Sequence, residues 1–272
     1  RVPDAPPYNL EPMSHTGPMA RSVADCALML NVMAGAHADD IATLRETIHV
    51  PSAMPPIAGW RVAYSLDFGY KTLDPDVRAN TLAALDVFRS LGCTLTEVEV
   101  PWNAELPRIR SEYLHVMWGK RMGDLLRHHR DELSDYTIRY AEEAQAAPVD
   151  ALHRATDAMV RMSEGMGRLL DAHEIFVCPT TATTLVAADH NPYGAGFAID
   201  GHPVDPRAGW IMTYPFNMLA RLPVMALPSG GTRNGVPTGI QIVARSYDDR
   251  RCFQAAYAYE RVRPRIGIAG VA

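Results

Sequence analysis

Few side chains in this sequence could act as a base or a nucleophile. Its 272 residues include 26 Lys plus Arg, of which only Lys71 and Lys120 are lysines, with four cysteines and ten histidines. A lysine serves as a general base once its surroundings lower its pKa. Lys71 stands in Gly69-Tyr70-Lys71-Thr72 beside a strand end, and Lys120 stands between Gly119 and Arg121 in a charged helical stretch. No serine-rich loop accompanies either, and both read as surface lysines. Ser229-Gly230-Gly231 is the nearest thing to a glycine/serine loop, and its place predicts the start of a hairpin turn. Cys178 ends an apolar run with no assignable histidine partner, so it reads as a small buried apolar residue. The histidines, His128-His129 among them, lack metal-site spacing such as HExxH. His190 and His202 lie near Asp189, Asp200 and Asp205 in a stretch rich in turn residues. No catalytic residue is assigned within the chain, and no metal.

Whole-chain properties narrow the classes. A composition of 47% hydrophobic and 21% charged residues is that of an ordinary soluble globular protein. The net charge of -5 offers no basic stripe for nucleic acid. The cysteines have no short spacing, which excludes a CxxC pair and fits reduced thiols in a cytoplasmic protein. No apolar run reaches the roughly 18 residues of a membrane span. The first residue is Arg and no signal-peptide pattern follows, so the expectation is a chain that starts inside a longer one.

The elements that must position any site are legible by pattern. Prolines 3, 6, 7, 12 and 18 predict an irregular, extended lead-in over residues 1–18. Ser22 with Asp25 three residues on forms a box-like cap for a helix to about Ala34, with Val23, Cys26, Ala27, Leu30 and Met33 as its apolar stripe. Arg21 and Asp25 at (i, i+4) share its first turn. Trp60–Phe68 reads as a strand, Asp74-Pro75 as a helix start, Gly92 as its stop and Thr94–Val100 as a second strand, together a parallel crossover unit. Residues 103–173 read as helical, with breaks near Leu133-Ser134 and at Pro148. Glu174–Cys178 is a short apolar strand, and 187–206 a surface loop or lid. Val224–Leu227 and Thr238–Ala244 flank Asn234-Gly235 as a hairpin, and a helix spans about 249–261. The fold class is α/β, one domain over 1–272.

Several segments, in order, resemble the amidase signature family. They are Gly17-Pro18-Met19-Ala20-Arg21-Ser22-Val23-Ala24-Asp25; Trp60-Arg61-Val62-Ala63; Phe176-Val177-Cys178-Pro179-Thr180-Thr181; Tyr214-Pro215-Phe216-Asn217; Leu222-Pro223-Val224-Met225-Ala226-Leu227-Pro228; and Gly235-Val236-Pro237-Thr238-Gly239-Ile240-Gln241. The set is similar to the C-terminal two-thirds of such an enzyme. The resemblance implies a central mixed sheet flanked by helices and hydrolysis of carboxamide C–N bonds by a Ser–Ser–Lys triad whose members precede this chain. It implies an inactive fragment of a longer enzyme, with no cofactor. Its partner would be a small-molecule amide, with no nucleic acid or membrane, and a homodimer as the assembly to test. It places Arg21 and Asp25 as supports near the site, Thr180 and Thr181 as pocket neighbours, and Trp210, Tyr214 and Asn217 as pocket walls. Tyr113, Met117, Trp118 and Met122 would contribute to specificity. Two alternatives stay open: an ammonia-releasing component like the A subunit of a glutamyl-tRNA(Gln) amidotransferase, and a non-catalytic binding or scaffold protein.

Overall fold

Local signals start most of the elements in the computed structural model, which describes residues 13–40 and 43–263. Helix α1 (Val23–Met33) begins where Ser22 Oγ accepts from the Asp25 amide and donates to the Asp25 carboxylate at 2.7 Å, a cap of the box-like kind read from sequence with the Asp25 side chain on the Ser22 hydroxyl rather than its amide. Glu260, from the far end of the chain, adds a second cap by accepting from Val23 N at 3.0 Å. Helix α2 (Pro75–Ser90) starts at the Asp74 cap with proline in its first turn. It stops at Gly92, whose φ of 86° is costly for a side-chain-bearing residue. The expected lead-in over 1–18 lies outside the described residues as far as position 12; from 13 to 18 it is irregular.

Strands β1 (Arg61–Tyr64), β2 (Thr94–Glu97), β3 (Ile175–Pro179), β6 (Val224–Gly231) and β7 (Pro237–Val243) form one sheet in the order β2-β1-β3-β7-β6. β1 runs parallel to β2 and to β3, as the crossover reading requires, while β7 is antiparallel to both β3 and β6. The sheet is therefore mixed. β1 and β2 are shorter than expected; after Tyr64, Ser65 Oγ accepts from Phe68 N and turns the chain. β4 (Ala198–Ile199) and β5 (His202–Pro203) make a small hairpin inside the expected loop, turned at Asp200-Gly201 with positive φ at both.

One expectation is corrected here. Ser229-Gly230-Gly231 is not the hairpin turn: β6 continues through it, with an irregular register between Pro228 and Gly230. The turn falls at 232–235, where Gly235 N donates to Thr232 O. Ser229 is fully buried, its hydroxyl 2.8 Å from that of Thr238 across the ladder.

Helix α8 (Asp249–Val262) packs on β6 and β7 beside α2, and α1 packs on α8. Phe88 of α2 stacks on Tyr259 of α8 at 5.4 Å. The helical stretch comprises α3 (Leu106–Met117), α4 (Gly123–His128), α5 (Asp135–Gln145) and α6 (Ala151–Ala172), with α3 lying along α6. Its breaks fall at Leu133-Ser134 and around Pro148, as read. Short α7 (Tyr214–Met218) presses Phe216 against Phe176 of β3, Phe68 and Trp102. β3 is buried at every residue and is the centre of the core.

Candidate functional site

The end of β3 is where Thr180, Thr181 and Trp210, three of the expected site residues, come together. Pro179 is its last residue, and Thr180 follows, bonding through both its amide (2.9 Å) and its hydroxyl (3.1 Å) to Gly239 O of β7. A Cβ at Gly239 would lie 2.9 Å from that hydroxyl, so glycine is required for the approach. Thr181 bridges to Ile211, and Ala182 N donates to Trp210 O at 2.8 Å. Asp74 at the start of α2 fastens the same segment, donating its amide to Ala182 O and accepting from Thr183 Oγ1. Thr180, Thr181 and Trp210 thus share one strip, and α7 with Tyr214 and Asn217 begins directly after it.

Gln241 holds the strip in place, and the reading of site residues missed it. It is the one amide side chain in the apolar run Ile240–Val243, and it is buried. Its Nε2 donates to Pro179 O at 2.8 Å and to Met212 O at 3.2 Å, with Cys178 Sγ at 3.4 Å. One side chain therefore joins the end of β3 to the residues preceding α7. A polar residue inside an otherwise buried strand was the available signal, because such a group needs partners. Cys178 itself is wholly buried, and burial pushes its thiol well above the ordinary range, as a packing residue should show.

A cavity of about 520 Å³ opens beside this strip. Its walls come from the lead-in (His15, Gly17, Pro18), from α1 (Cys26, Leu30, Met33), from α7 and its start (Thr213, Phe216, Asn217), from β6 (Val224–Ala226) and from the start of α8. Asn217 lines it and donates to Met13 O at 3.5 Å; Gln241 reaches it from below. Of the seven expected residues, Asn217 alone lines this cavity. Tyr214 is buried, its hydroxyl 3.2 Å from that of Tyr70. Arg21 and Asp25 are exposed at the start of α1. They form no ion pair with each other; Asp25 is engaged by Ser22 instead, because Arg21 precedes the helix and is off its first-turn face. Among the described residues, no three His, Cys, Asp or Glu side chains gather as a metal site would need.

Lys71 overturns its sequence reading. It is half-buried, its ammonium donating to Ala208 O at 2.6 Å and Gly209 O at 3.2 Å. It also lies 5.7 Å from the Tyr70 ring centre and 5.3 Å from that of Tyr214. Burial lowers its pKa from 10.5 to about 8, with Asp205 pulling weakly the other way. The loop returning through 205–209 covers it, which no local pattern could announce. Lys120 is exposed as read, donating to Gln145 O at 3.1 Å.

The comparisons with known proteins agree on a family. The family model described as Amidase matches residues 1–253. An acylamidase of Rhodococcus erythropolis is 32% identical over 264 residues, covering 92% of this chain and 53% of that protein. The A subunit of the glutamyl-tRNA(Gln) amidotransferase of Thermosynechococcus vestitus is 26% identical over 278 residues, covering 93% of this chain and 56% of that protein. Among solved structures, a bacterial aryl acylamidase of the amidase signature enzymes shares the fold, with a TM-score of 0.81 at 24% identity, over 91% of this chain and 53% of that one. The chain spans about half the length of the relatives it matches.

Proposed function

Because this chain belongs to the amidase family, we propose that the protein it is part of is an acylamidase, hydrolysing small carboxamides with an amine or ammonia leaving. The observation that carries this reading is the 520 Å³ cavity, which is walled by the very segments that carry the family resemblance, from Gly17-Pro18 to Asn217 and Val224. A largely apolar cleft with a few placed polar groups is the expected form of a small-molecule site. In this proposal the chain contributes walls and supports: Asn217 as a wall, Gln241 as the brace beside it, Thr180, Thr181, Trp210 and Tyr214 as the strip set back from the cavity that Gln241 fastens, and Arg21 and Asp25 as outlying supports of α1. The nucleophilic serine, its bridging serine and the lysine belong to the rest of the protein, so these 272 residues alone would be inactive. The family resemblance implies this triad, and its parts answer chemical needs: a serine hydroxyl needs a neighbouring base, and the tetrahedral oxyanion needs preorganised donors. A cytoplasmic setting accords with the four unpaired cysteines. Assembly as a homodimer is part of the proposal.

The test is release of 4-nitroaniline from 4-nitroacetanilide by the whole protein and by residues 1–272 alone. Turnover by the whole protein only, lowered at least about tenfold by Asn217→Ala, supports the reading. Turnover by residues 1–272 that Lys71→Ala or Lys120→Ala abolishes would overturn the assignment of the triad elsewhere. Glutamine-dependent ammonia release with a copurifying partner, and no anilide turnover, would favour the amidotransferase reading instead.

A further inference from the structure

Beyond the cavity, α3 and α5 hold a group of polar side chains whose bonding is incomplete. On α3, Glu112 takes two arginines: Arg108 at 2.6 Å and Arg154 of α6 at 2.7 Å. Arg110, two residues earlier and turned to another face, takes none. It is half-buried, yet among the described residues it has neither a hydrogen bond nor a carboxylate partner. What it has is the ring of Tyr214, 5.4 Å from its Cζ, and Tyr140 within electrostatic reach. Tyr140 of α5 packs edge-on against His115 at 4.7 Å, and the Tyr140 hydroxyl also bonds to no described residue. His115 is only 9% exposed, and its Nε2 is buried without a partner.

A guanidinium partly withdrawn from water with no anion beside it loses hydration that only the Tyr214 ring face offsets. Desolvation pulls the Arg110 pKa below its ordinary value, as that loss requires. The Arg110 nitrogens are not sealed from solvent, so their donors keep an open side. A guanidinium offers a planar fork of donors that fits a carboxylate with two parallel bonds. Tyr214 joins this place to the cavity: its ring carries Arg110, and its helix lines the cavity through Phe216 and Asn217.

We propose that Arg110 is the specificity-determining anchor of a carboxylate subsite, so that the preferred substrates are amides whose acyl part carries a free carboxylate. Tyr140 supplies a further hydroxyl donor to that carboxylate. The proposal rests on the amide-hydrolysing reading above, and its test separates the two.

The test uses the whole protein with succinyl-4-nitroanilide and butyryl-4-nitroanilide, which differ in the terminal carboxylate. Wild type should prefer the succinyl substrate. Arg110→Gln should raise KM and lower kcat/KM for it by about 30-fold or more while leaving the butyryl substrate within about twofold, with Arg110→Lys recovering part of the loss. Equal losses on both substrates, or no preference in wild type, overturn the proposal. If neither anilide is turned over, calorimetry with succinate decides. Binding that Arg110→Gln abolishes retains the carboxylate subsite while the hydrolase reading falls, and absence of binding to wild type overturns the subsite.

Discussion

The Lys71 ammonium donates to the carbonyl oxygen of Ala208 at 2.6 Å, across a separation of 137 residues. This bond anchors the loop that returns from the β4–β5 hairpin, and it draws a lysine that looks solvated in sequence against two tyrosine rings. With only two lysines in the chain, the consequence is easy to measure. Carbon-13 methylation of the lysine amines should give a Lys71 resonance that titrates near 8, assigned by its loss in Lys71→Met. A Lys71 midpoint at the ordinary 10.5 would show that it is not desolvated.

The same group makes stability depend on pH. The folded pKa is about 8, below the ordinary 10.5. Between those values the unfolded chain holds a proton that the folded chain has released, so raising the pH favours the fold over that window. Below about pH 7 both states are protonated and the slope vanishes. The stability of wild type relative to Lys71→Met should therefore be flat at low pH and rise from pH 8 to 10. Urea midpoints across that range check it, and a flat difference throughout would refute it.

Gln241 is predicted to matter more than its conservative replacement suggests. Gln241→Leu fits the strand but strips Pro179 O and Met212 O of their donor inside the core. Leaving buried acceptors unpaired costs about 1–3 kcal/mol. Chemical denaturation should show that loss, together with faster amide exchange at Thr180 and Thr181.

Glu143 of α5 ties down the loop over 187–206. It accepts from Arg207 at 3.0 Å and from the Tyr193 hydroxyl at 3.4 Å, and pairs with Arg139 at 3.6 Å, while both arginines lie against the Tyr193 ring. Each partly exposed pair is worth less than about 1 kcal/mol. Glu143→Gln should thus leave the melting temperature nearly unchanged while making 187–206 the first site of limited proteolysis. An unchanged cleavage pattern would show that the loop is held by other contacts.

Helix α1 is apolar nearly all round. Val23, Cys26 and Ala27 are buried, but Leu28 is 65% and Val32 81% exposed on another face, next to Met29. Exposed apolar faces of this kind promote association. Residues 1–272 expressed alone should self-associate, and Leu28→Lys with Val32→Lys should reduce this without lowering the melting temperature. Light scattering decides the matter, and an equally associated double variant would locate the contact elsewhere.

What the sequence determined by itself was the local grammar: the Ser22/Asp25 box, the Asp74-Pro75 start, the stop at Gly92, the breaks in the helical stretch and the family. Each depends on residues within a few positions of one another, where caps, proline and glycine act through backbone geometry alone. The tertiary structure decided the rest. It kept Ser229 in a strand, where its hydroxyl meets that of Thr238, left Arg21 and Asp25 unpaired with each other, and left Arg110 without the carboxylate that Arg108 and Arg154 share. It buried Lys71 under residues more than a hundred positions away and set Gln241 between β3 and α7. Burial and partnership are properties of the surroundings, and those surroundings are assembled from distant parts of the chain.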